Sequence, residues 1–102
     1  MALLICEEEP GLASFTRFAT FNHLDGRRDS LLIDVEFLYH ENGQTYLPVD
    51  IISRGKDWVL IELSDEANSG TRRLWVAPSA LSSRQPYQWP GTRAGQSLPR
   101  NP

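Results

Sequence analysis

The chain has 102 residues, enough for one compact domain and too few for two that each bury a core of their own. With 40% hydrophobic and 23% charged residues it reads as globular, and no apolar run approaches the roughly 20 residues that cross a bilayer. The net charge of −3 is uneven: residues 1–70 carry all thirteen acids against five bases, and residues 71–102 carry five arginines and no acid, so the body disfavours wrapping by nucleic acid while the basic end could reverse that locally.

The apolar start, Met1 to Cys6, stops at Glu7, Glu8 and Glu9 and lacks a basic leader. It is too short for a secretory signal, and a cytoplasmic location is expected. Cys6 is the single cysteine and can form no internal disulfide, which suits a reducing compartment. Leu3 to Cys6 can form a short strand. Phe15, Phe18 and Phe21 recur every three residues, whereas Phe15, Arg17, Ala19 and Phe21 would equally make one face of a strand; helix and strand both stand here. Leu24-Asp25-Gly26-Arg27-Arg28-Asp29 reads as a turn in either case.

From Leu31 the alternation is plain, with Leu31, Ile33, Val35, Phe37 and Tyr39 on one side and Asp34, Glu36 and His40 on the other. Period two predicts a half-buried strand over 31–39. Asn42-Gly43 then suits a type I′ turn, whose two central residues both need positive φ. A hairpin into 46–52 follows, with Leu47, Val49 and Ile51 inward and Pro48, which lacks an N–H, at an edge or a bulge. Residues 53–57 turn, and Trp58 to Leu63 make a third strand with Val59, Ile61 and Leu63 inward. A polar loop over 64–71 leads to a fourth strand, 72–77, with Leu74 and Val76 inward. Pro78-Ser79-Ala80-Leu81 stops the ladder in a short helical turn.

The remainder, with Pro86, Pro90, Pro99 and Pro102 among Gly, Gln and Ser, has too few apolar residues to offset ordering entropy, and a disordered C-terminal tail is expected. The predicted organisation is one mainly β domain over 1–83 and a Pro/Arg-containing tail over 84–102.

Asp57-Trp58, the strand after it, the polar hairpin loop and the run Leu74-Trp75-Val76-Ala77-Pro78-Ser79-Ala80-Leu81 together resemble the SH3-like barrel, in particular its bacterial variety, over about residues 31–82. The resemblance implies an all-β fold, a small SH3-like barrel. In peptide-binding members the groove uses a tryptophan after the loop, the turn proline and an aromatic after it, which map onto Trp58, Pro78 and Leu81. Leu81 is not aromatic, and no Ala-Leu-Tyr-Asp-Tyr-like run opens the barrel, so half of an aromatic cleft for a polyproline helix is missing.

Chemistry-bearing candidates are sparse. His23 and His40 are the only histidines, and with one cysteine and scattered acids no metal-ligand spacing stands out; both read as solvated turn histidines. Ser14, His23 and Asp25 have the residue types of a triad without a glycine elbow around the serine. No phosphate-binding glycine loop occurs. Neither catalysis, a cofactor nor a metal is expected. The reading that requires only visible features is a non-enzymatic protein-interaction module whose partner has no identity in the sequence. It would dock through Trp58, Trp75, Pro78 and Leu81 and through Tyr87 and Trp89 of the tail, with β-augmentation and homodimerisation by the same surfaces open. The alternative is a nucleic-acid-associated protein using Arg72, Arg73, Arg84 and Arg93. No membrane partner is expected.

Overall fold

The structure is a computed structural model, and it describes residues 1–82. In chain order these form β1 (Ala2–Pro10), β2 (Thr16–Asn22), β3 (Arg28–Asp34), a first 3-10 turn (Val35–Phe37), β4 (Tyr39–Glu41), β5 (Gln44–Arg54), β6 (Val59–Glu62), β7 (Arg73–Val76), a second 3-10 turn (Pro78–Ala80) and β8 (Leu81–Ser82). The strand order is β3-β2-β1-β5-β6-β7, with β4 on β5 and β8 on β1. All pairings are antiparallel. The sheet curls into a half-barrel, so the expected mainly β fold is what the structure shows.

Long β1 makes the curl by changing partner. Ala2 to Cys6 pair with β5, from Ala2↔Val49 to Cys6↔Thr45, and Glu7 to Pro10 pair with β2, from Glu7↔Thr20 to Pro10↔Arg17. The inward rows then meet in one buried cluster: Ala2, Leu4 and Cys6 of β1, Ala19 and Phe21 of β2, Leu31 of β3, Leu47 and Val49 of β5, Val59 and Ile61 of β6, Leu74 and Val76 of β7. Burying each larger side chain contributes about 1.5–3 kcal/mol.

The seam between the terminal strands β3 and β7 is closed reciprocally. The β2–β3 turn covers β7, Leu24 N–H donating to Trp75 O at 2.8 Å, and the β6–β7 loop covers β3, Asn68 N–H donating to Ser30 O at 2.8 Å. Asn68 Nδ2 adds a bond to Ser30 Oγ at 2.7 Å.

Two expectations are corrected or decided. The strand predicted over 31–39 is broken: β3 ends at Asp34, its last partner being Thr16, and the 3-10 turn leaves Phe37 55% exposed. The chain runs out of partner strand there, because residues 11–15 turn back instead of extending β2; Val35 N–H bonds only to Phe15 O in that turn. The phenylalanine region is a strand, with Phe21 buried and Phe15 exposed.

Asn42 and Gly43 take φ 52° and 80°, as the type I′ turn between β4 and β5 requires. Pro48 faces Leu3 of β1, while on its other side pairing with β4 ends at Tyr46 and pairing with β6 starts at Asp50. Proline thus sits where no neighbouring strand asks for its N–H. The expected tail over 84–102, including Tyr87, Trp89, Arg84 and Arg93, lies outside the described residues.

Candidate functional site

β7 places Trp75 on the outer face of the sheet, between the buried Leu74 and Val76. Leu60 pairs with Trp75, and Trp58 lies immediately before β6, next to the last pair Val59↔Val76. A β-bulge sets Ile52 beside Ser53 opposite Leu60, adding one more apolar side chain, 40% exposed, to the same row. Trp75 is 54% exposed. The next row outward is charged, with Asp50 opposite Glu62 and Glu62 opposite Arg73; Arg73 Nε donates to Glu62 at 3.3 Å.

Trp58 is only half-buried because its ring lies on Gly55. A Cβ at position 55 would stand 2.2 Å from the indole, so only glycine fits under it. Gly55 N–H donating to Trp58 O at 2.9 Å closes the same turn. Pro78 is exposed at the start of the second 3-10 turn, whereas Leu81 turns inward in β8, opposite Leu4, and packs on the core. The structure therefore leaves Trp75 outward on β7, packs Trp58 on Gly55 at the start of β6 and turns Leu81 inward. Arg72 donates to the Leu63 and Ser64 carbonyls, so both predicted basic residues among those described are engaged within the fold.

Trp75 also walls an open cleft of about 330 Å³ shared with His23, Leu24, Asp25 and Arg27. Asp25 accepts from Arg27 through Nε at 2.9 Å and through the backbone N–H at 3.0 Å, and these bonds hold its carboxyl below the usual range. Trp75 O accepts the Leu24 N–H, so the edge of β7 is already occupied at the tryptophan.

Beneath this cleft lies a buried polar network that sequence reasoning missed. His23 Nε2 is 2.8 Å from Asp29 Oδ2, with the two side chains 8% and 4% exposed. Ser69 Oγ donates to the same oxygen at 2.5 Å, while Oδ1 accepts the backbone N–H groups of Ser30 at 2.9 Å and Ser69 at 3.2 Å. Burial raises the Asp29 pKa, but these four donors outweigh it and leave the carboxyl below its ordinary value. Arg27 Nη2 lies 3.3 Å from His23 Nδ1. A guanidinium only donates, so neutral His23 accepts at Nδ1 and carries its proton on Nε2 toward Asp29. The order is Ser–Asp–His with the carboxylate in the middle, so the imidazole is not beside the hydroxyl it would have to deprotonate.

At the other end of β2, Glu8 accepts from Arg17 Nε at 3.0 Å and Thr45 Oγ1 at 3.2 Å and lies 2.6 Å from His40 Nε2. Burial opposes ionisation of Glu8, and the bonds to His40, Thr45 and Arg17 prevail and lower its pKa. The buried Cys6 thiol is pushed up to about 12, first by burial and then by Glu8 and Glu7, which makes it a packing residue and not a nucleophile. Among the described residues no cluster of three or more His, Cys, Asp or Glu could hold a metal ion, and no helix is long and apolar enough to cross a membrane. The chain matches no family model, no curated protein and no solved structure.

Proposed function

We propose that this chain is a non-enzymatic protein-interaction module on an SH3-like half-barrel, docking on a protein partner through the outer face of β6 and β7. One observation carries the reading: Trp75 stands 54% exposed between an apolar row, Leu60 and Ile52, and the cleft walled by Leu24 and Arg27. A half-exposed indole leaves a large apolar area to bury, and tryptophan is the residue most enriched among interface hot spots. The charged row of Asp50, Glu62 and Arg73 beside it supplies a polar rim. Because Leu24 already occupies the β7 edge at Trp75, the partner inserts a side chain into the cleft in preference to adding a strand.

The test places a photo-crosslinking amino acid at exposed Ile52, in the row beside Trp75, in the full-length protein, with the same substitution at exposed Phe15 as control, and analyses adducts formed in native-source lysate. A partner crosslinked from position 52 and not from 15, and bound at least ~30-fold more weakly by Trp75→Ala, as a hot spot of about 2 kcal/mol requires, supports the reading. Equal binding by Trp75→Ala overturns it.

A further inference from the structure

A second open groove, of about 600 Å³, lies where the end of β3 and the first 3-10 turn meet the start of β1, β5 and the β6–β7 loop. Its apolar lining is Met1, Leu32, Ile33, Phe37 and Pro48. Three of these are well exposed: Met1 at 72%, Phe37 at 55% and Leu32 at 37%. Its charged lining is Asp34, Glu36 and Asp65. A smaller hollow of about 160 Å³ shares Met1, Pro48 and Ser64 with it and adds Asp50 and Glu62. Asp34, Glu36 and Asp65 thus surround the apolar groove and Asp50 the hollow beside it, while Glu62 is already paired with Arg73; no arginine or lysine lines either part.

We infer that this groove is the docking site of the chain's own C-terminal segment, residues 83–102. Direction is the first argument. β8 runs antiparallel to β1 with Leu4↔Leu81 and Leu3↔Ser82, so the described chain ends beside Leu3, two residues along β1 from Met1, which lines the groove. Charge is the second, since the segment carries Arg84, Arg93 and Arg100 and no acid, the complement of an all-acidic rim. Chemistry is the third: Tyr87 and Trp89 among Pro86 and Pro90 supply stiff, low-entropy aromatic anchors for an apolar floor. Twenty residues extended span up to about 66 Å, so reach does not limit the contact.

This inference is independent of the Trp75 reading and is tested on the full chain. Gln88→Cys is labelled with a nitroxide, the native Cys6 being buried and its thiol held at about 12, and amide peak heights are compared with the label oxidised and reduced. Selective loss is expected at Leu32, Ile33, Phe37 and Asp65, with Leu24 and Trp75 least affected. The loss should disappear in Asp34→Asn/Glu36→Gln/Asp65→Asn and weaken in 1 M salt, where the Debye length is about 3 Å. A sample mixing isotope-labelled unmodified chain with unlabelled nitroxide chain distinguishes the source. Broadening in the mixture equal to that within one chain assigns the groove to a second copy's tail and overturns the inference, as does absence of broadening at the groove or its persistence in the triple variant.

Discussion

The inner row of β2 reads Arg17, Ala19, Phe21, His23 and ends in a histidine–carboxylate contact on neither equal terms nor equal ground. At one end His23 meets Asp29 with both side chains under a tenth exposed. At the other, Glu8, held by Arg17, meets a His40 that is 49% exposed. Both carboxylates are held below their usual pKa by hydrogen bonds that outweigh burial. The chemistry is shared, and what differs is how many segments depend on it. Glu8 ties neighbours that the ladders β1–β2, β1–β5 and β4–β5 already hold. Asp29 ties the β2–β3 hairpin to the β6–β7 loop, and no ladder joins those two. A polar contact at an existing ladder is redundant, and one across a seam is structural.

Removing the buried acceptor tests this most severely. Asp29→Ala leaves His23, the Ser69 hydroxyl and two backbone N–H groups without their acceptor and should cost about 3–5 kcal/mol, read as a fall in the urea midpoint. The same contact can be broken by acid. Because the folded pKa of Asp29 is depressed, its contribution is complete above the unfolded value of about 3.9 and is lost as pH falls through the lower folded value. Acid titration of stability should therefore be shallower below about pH 4 in Asp29→Asn than in the parent. Ser69→Ala removes one charge-assisted bond and should cost about 1.5–3 kcal/mol, with faster amide exchange at Asn68 and Leu24 than at β1 or β5. His40→Ala, at the exposed end, should cost less than about 1 kcal/mol and leave those exchange rates alone. A His40→Ala penalty matching that of Asp29→Ala would erase the distinction.

The second half of the chain was largely legible in the residues. Asn42-Gly43 specified its turn through the φ values it alone tolerates well, and the alternations ending in Leu63 and Val76 specified two inward rows. Period two failed at Val35 to Phe37, because alternation records which side a residue faces and carries no information on whether a partner strand continues alongside. The same gap hid the polar network. Phe15, Phe18 and Phe21 supported helix and strand equally, and only the strand puts His23 on the face of Ala19 and Phe21, across from Asp29. Trp75 was legible as outward from its neighbours Leu74 and Val76, whereas the inward turn of Leu81 depends on β8 pairing with β1, a contact between the two ends of the described chain that no local pattern encodes.

The reciprocal seam has a further effect on how copies of this protein meet one another. An open sheet presents two terminal strands, each a template on which another chain can add. Here the loop beside each terminal strand is folded over the other, so a backbone group of β3 and one of β7 are taken by Asn68 and Leu24. Full closure into a barrel would remove the edges by pairing them; this fold covers them with turns instead. The six hydrogen bonds among His23, Asp29, Ser30, Asn68 and Ser69, with the one from Leu24 to Trp75, hold those turns over the two edges, where a second copy would otherwise find its template.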